Sequence, residues 1–173
     1  MISTQVTERM GEAMGYARRR TGYHDDRDSF ERDGNAVPRK KKVSRELNGV
    51  VGEMGFEKVS GLKTEYFVYS PSDGHVDFDW IYPIDVKSSK GGPLLVKCSV
   101  IEKVSPKTIF VLAHVFDDLV NLMGYAWAFE LAKEEPGFYG LRDKQREKVY
   151  SHKLEVACLW DIERLIRKIQ ETT

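Results

Sequence analysis

Two apolar periods alternate along this chain, and they predict its elements. Val6, Met10, Ala13, Met14 and Ala17 recur at helical spacing, so a helix is expected over residues 4–20. Arg18, Arg19 and Arg20 fall at its end, where cations complement the helix dipole. The polar stretch from Thr21 to Lys42 reads as a loop or arm. From Val43 the helical period returns: Val43, Leu47, Val50, Val51 and Met54 make one stripe, with Ser44 as N-cap and Gly61 as stop. Leu62 to Tyr69 is rich in β-branched and aromatic residues and reads as a first strand, closed by the turn Pro71-Ser72-Asp73-Gly74. Strict alternation then sets Val76, Phe78 and Trp80 against Asp77 and Asp79. After Pro83 it sets Ile84 and Val86 against Asp85 and Lys87.

Beyond Gly91-Gly92-Pro93, residues 94–101 look extended, and Lys107 to Val115 is a further strand. Asp117-Asp118 suits a turn into a hairpin partner running from Leu119 to Trp127, whose tail from Ala126 to Lys133 turns helical. Trp127 and Phe129 read as core or interface residues. Leu141 to Lys148 is too charged for a buried role. An amphipathic helix over 156–169 buries Leu159, Ile162, Leu165, Ile166 and Ile169 and exposes Arg164, Arg167 and Lys168.

These elements describe an α/β protein with a central mixed sheet flanked by helices. Its 173 residues suit one domain with a real core. Twenty-seven basic residues balance 27 acidic ones, so any attraction for phosphate must come from local patches. One such patch is Arg39-Lys40-Lys41-Lys42, which is either a solvated segment or a phosphate contact. Cys98 and Cys158 lack metal or redox spacing, and no apolar run has membrane length, so a cytoplasmic protein with no membrane partner is expected. No phosphate-binding glycine loop, Ser-His-Asp set or zinc-ligand spacing occurs.

The chemistry concentrates between His75 and Lys90. Two neighbouring strands with this alternation can bring three carboxylates, Asp77, Asp79 and Asp85, together with one amine, Lys87. Carboxylates so gathered repel one another unless a cation or a raised pKa relieves them. Mg²⁺ suits such hard oxygen ligands and takes only one or two carboxylates. Glu46, Glu53 and Glu57 line one border of the preceding helix, from which a carboxylate can reach the sheet. His75 lies next to the acids and reads as a strand residue with a hydrogen-bond partner.

Asp77 followed by Asp85-Val86-Lys87 resembles the PD-(D/E)xK, or restriction-endonuclease-like, nuclease core. Gly49-Val50-Val51-Gly52-Glu53 is similar to the Gly-x-x-Gly-Glu helix of several phage and prokaryotic members. The order helix-Glu, strand, strand-Asp, strand-Asp-x-Lys matches the family's order over roughly residues 43–130. The resemblance implies a Mg²⁺-dependent nuclease, with Mn²⁺ as substitute, that hydrolyses DNA and is an endonuclease ahead of an exonuclease. It assigns Asp77, Asp85 and Glu53 to the metal and Lys87 to the attacking water. Arg39, Lys40, Lys41 and Lys42 would then contact DNA phosphates, Asp79 would replace Asp77 if a bulge shifted the register, and a homodimer is left open. The alternative is a non-catalytic nucleic-acid-binding or assembly protein that retains the nuclease-like fold.

Overall fold

The computed structural model describes residues 1–28, 39–64, 76–142 and 148–173, with side chains of 22–28, 39–42 and 140–142 left undescribed. His75, most of the expected first strand and the turn after it lie outside the described residues. The chain is α/β, built on a mixed four-stranded sheet. Strand β1 (Ile2–Gln5) pairs antiparallel with β5 (Leu119–Trp127), β5 antiparallel with β4 (Ile109–Phe116), and β4 parallel with β2 (Ile84–Ser89). A second, antiparallel sheet has β7 (Lys148–Leu154) between β3 (Leu94–Lys97) and β6 (Gly137–Arg142).

Strand β4 explains why the sheet is covered on both sides. Ile109, Val111, Ala113 and Val115 point into one apolar cluster, and Phe110 and Leu112 point into the other. On the first face lie α1 (Met10–Asp28), α2 (Arg39–Ser60) and α5 (Ile162–Thr172), which contribute Ala13, Val50, Val51, Met54, Leu165, Ile166 and Ile169. Leu94 and Val96 of the small sheet cover the second face, together with Ala128 and Leu131 of the one-turn helix α4 (Ala128–Leu131).

The stripe expected from Val43 to Met54 is the inner face of α2. The turn at Asp117-Asp118 is present, with Asp117 at φ 55°, a left-handed geometry that Asp tolerates. Several expectations need correction. Residues 2–5 form an end strand of the larger sheet, so residues 4 and 5 are not helical as expected, because Ile2 to Gln5 complete the ladder of β5 from Leu122 to Leu119. The supposed arm 21–42 is helical at both ends, since α1 runs to Asp28 and α2 starts at Arg39; charged residues solvate a helix without stopping it. Val76 to Trp80 makes only an isolated bridge, Phe78 to Ile84. Residues 98–101 are a short helix, α3, rather than extended.

The C-terminal helix begins at Ile162, where the Asp161 carboxylate caps the N–H of Glu163. Before it, Trp160 exchanges two backbone hydrogen bonds with Tyr125. Gly124 permits that approach, since a Cβ there would stand 2.6 Å from Leu159 Cβ.

Candidate active site

Strand β2 ends the larger sheet among the described strands, and its acidic and basic side chains gather at that edge. Asp85 and Lys87 stand opposite Phe110 and Leu112 and so share their face of the sheet. Lys87 Nζ donates to Asp85 Oδ2 at 2.5 Å and lies 5.6 Å from the centre of the Phe110 ring. Asp77 arrives differently from expectation. It is not on a paired strand; its Oδ2 accepts the backbone N–H of Val86 at 2.6 Å, an N–H between Asp85 and Lys87 in the chain. The bridge at Phe78 and Ile84, two hydrogen bonds of 3.0 Å, holds Asp77 there.

Glu53 comes from the other side. Gly52 packs against β2 so closely that a Cβ would meet Ser88 Oγ at 2.0 Å and Ala113 Cβ at 3.4 Å, which places the next residue, Glu53, at the sheet edge. Gly52 thus makes a close helix-to-strand contact. At Gly49 a Cβ would find only Glu53 Oε1, at 4.0 Å.

Glu53 is buried, and Arg20 of α1 grips both of its oxygens at 2.8 Å. Such a bidentate fork fixes the carboxylate's orientation as well as its charge. Arg20 has no sequence signal: it is one of three consecutive arginines, and only the packing of α1 on α2 selects it. Helix α2 continues to Ser60, so Glu53 sits in its interior and not at a C-terminal turn near Gly55. Glu46 is half-buried and interacts electrostatically with Arg20, while Glu57 pairs with Arg9 at 2.7 Å. Asp79 is exposed.

Electrostatics tie the group together. Burial, then repulsion from Glu53 and Asp85, push the Asp77 carboxyl well above its usual range, against the opposing pull of Lys87 and the Val86 N–H. Burial pulls the Lys87 amine down, but Asp85, Asp77 and Glu53 outweigh it and leave its pKa raised. Burial likewise works against the Arg20 charge, and the hydrogen bonds and field of Glu53 more than restore it. Three carboxylates thus face two cations, Lys87 and Arg20.

Asp77 and Asp85 each spend one oxygen on Val86 N–H and Lys87, and among the described residues their Oδ1 atoms accept no hydrogen bond. No group of three His, Cys, Asp or Glu among the described residues is arranged as a ready metal cage. Two neighbouring carboxylates, each with an oxygen that accepts no hydrogen bond among the described residues, nonetheless fit the modest protein share that Mg²⁺ needs. The side chains of Arg39, Lys40, Lys41 and Lys42 lie outside the described residues; their backbone forms the first turn of α2, which contains no acid. No described helix is long and apolar enough to cross a membrane. No family model matches the chain, and neither does any curated protein or solved structure.

Proposed function

We propose that this protein is a Mg²⁺-dependent deoxyribonuclease with a restriction-endonuclease-like core. The observation that carries the reading is the meeting of Asp77, Asp85, Lys87 and Glu53 at one sheet edge, from a loop, a strand and a helix, with Asp77 strained electrostatically by its acidic neighbours. Asp77 and Asp85 would hold the cation, with Glu53 completing the site. When bound, Mg²⁺ would offset charge on the scissile phosphate and acidify water.

Lys87 has a distinct task. Its raised pKa keeps it an ammonium at neutral pH, and one of its three protons goes to Asp85 Oδ2. The other two can orient the attacking water or bind a non-bridging phosphate oxygen. As a fixed donor it stabilises developing negative charge, rather than removing a proton. Arg20 keeps Glu53 aimed at the edge.

A second reading is a non-catalytic nucleic-acid-binding or assembly protein with the same core, and the Arg20–Glu53 pair favours it, because both Glu53 oxygens are already occupied by protein. Incubation with linear, circular, branched and single-stranded DNA separates the two. The nuclease reading expects cleavage of at least one form with Mg²⁺ or Mn²⁺. No cleavage of any form with Mn²⁺ present, from a folded preparation, would leave the binding protein.

A further inference from the structure

A cavity of about 200 Å³ opens on the other face of the larger sheet, between the Trp80–Tyr82 segment, β5 and α5. All three tryptophans of the chain, Trp80, Trp127 and Trp160, line it, with Tyr82 and Tyr125. The rings stand nearly perpendicular to their neighbours: Trp80 to Tyr82 at 80°, Tyr82 to Trp127 at 82°, Tyr125 to Trp127 at 76°. These edge-to-face contacts hold the rings in a fixed frame around the space, with Phe129 stacked on Trp127 at 27°. Pockets for drug-sized ligands run to roughly 300–1,000 Å³, so this one suits a single planar ring system.

The rim carries two cations. Arg164 and Lys168 lie one turn apart on the exposed side of α5, and both belong to the lining. Like charges at that spacing weaken a helix. Among the described residues neither forms a salt bridge, although two acids are nearby, and Lys168 Nζ lies over the Tyr82 ring at the cavity wall, 5.9 Å from its centre. Asp161 is spent on capping α5, and Glu130 accepts from Trp160 Nε1 and the Trp127 N–H. Tyr125 is only 7% exposed, and among the described residues neither its hydroxyl nor that of Tyr82 makes a hydrogen bond. An aromatic cage alone would suit a quaternary ammonium, but two cations at its mouth repel one. The lining fits a planar ring attached to an anion.

We infer that this cavity takes one unstacked nucleobase, with its phosphate held by Arg164 and Lys168. This rests on the nucleic-acid reading above and extends it: the substrate would present a single-stranded or extruded nucleotide beside the cut. Ile109 of the lining stands opposite Ile84, three residues before Lys87, so the cavity and the Asp85–Lys87 pair lie on opposite faces of the sheet with an offset of roughly 10 Å along the strand. A base stacked on aromatic rings tolerates any sequence, so the cavity would select strand state and not base identity.

Because every tryptophan lines the cavity, intrinsic fluorescence reads its occupancy without any cleavage. The wild-type protein is titrated, with no divalent metal, with oligothymidylate, thymidine 5′-monophosphate, thymidine and inorganic phosphate. Saturable quenching by the oligomer is expected, with thymidine roughly tenfold or more weaker than its monophosphate and phosphate alone silent. The double variant Arg164→Ala/Lys168→Ala, both exposed positions, should lose about tenfold for the monophosphate and reduce the salt slope for the oligomer by about 0.7 per contact. Response to the oligomer but not the monophosphate would assign the site to a strand, and the reverse to a free nucleotide. No saturable response to either, or one unaltered in the double variant, overturns the inference. A Lys87→Ala protein with lost cleavage and unchanged quenching separates the two sites. Quenching in a protein that cleaves no DNA would sink the nuclease reading and leave this one standing.

Discussion

Asp77 Oδ2 receives the backbone N–H of Val86 at 2.6 Å, so its carboxylate is pinned to the edge of the strand that carries Asp85 and Lys87. One hydrogen bond thereby fixes an acid where burial first, and then its neighbours Glu53 and Asp85, disfavour its charge. Such a position costs stability and is held by the surrounding fold, as expected where function rather than stability sets the residue.

Asp77→Asn is therefore expected to stabilise the protein. The folded-state pKa of Asp77 lies above its unfolded value, so the native state binds the proton more tightly, and stability falls as pH rises from the unfolded pKa through the folded one. Below about pH 4 both states are protonated and the variant gains little. Thermal unfolding at several pH values should show the advantage of Asp77→Asn growing with pH. Mg²⁺ should raise the wild-type Tm at neutral pH and leave the variant's unchanged. Equal destabilisation of the variant at pH 4 and pH 8 would contradict this electrostatic account.

The Arg20–Glu53 pair makes a separate prediction. Breaking a buried, bidentate pair by Arg20→Ala leaves Glu53 buried and unpaired, at a cost of about 3 kcal/mol or more, measurable by urea denaturation. Glu53→Gln, with Glu46→Gln as control, tests chemistry. A large fall in cleavage is expected for Glu53→Gln and near wild-type rate for Glu46→Gln. The opposite pattern would show that the wrong glutamate has been assigned.

Gly52 should not tolerate even a methyl group. Gly52→Ala would press a Cβ onto Ser88, and overpacking of this kind costs about 1–3 kcal/mol. Ser88 Oγ is buried without a partner, so Ser88→Ala in the same chain removes both the clash and an unsatisfied hydroxyl. The double variant should recover most of the lost Tm. No recovery would place the strain elsewhere on the helix.

Arg39 to Lys42 put four cations in the first turn of α2, where the dipole favours anions. Replacing Lys40, Lys41 and Lys42 with Ala should therefore leave the fold at least as stable, and weaken DNA binding uniformly across sequences. The slope of log K against log salt should shrink by up to about 0.9 per lysine for duplex DNA. Unchanged affinity and slope would make the segment a solvated turn.

What could be read from the chain and what could not divides by the range of the interactions. The stripe of α2, the Asp85-Val86-Lys87 strand and the turn at Asp117 follow from local period and turn chemistry. Strand β1 does not, because Ile2 to Gln5 acquires its conformation from an edge 114 or more residues away. The strands from 137 to 154 were hidden by charge, since their partners and Leu94 and Val96 supply the burial. At the site, alternation correctly brought Asp85 and Lys87 onto one face, yet Asp77 joins them through a backbone N–H and not through a paired strand. Arg20 was invisible, because its role depends on how one helix lies on another.

Cleavage by Lys87→Ala is the decisive measurement. Wild-type protein should cleave DNA with Mg²⁺ or Mn²⁺, and Lys87→Ala, folded by circular dichroism, should lose on the order of 10²–10³ in cleavage rate while still binding DNA. Cleavage by Lys87→Ala at the wild-type rate, under the same metal and on the same DNA, would contradict the nuclease reading.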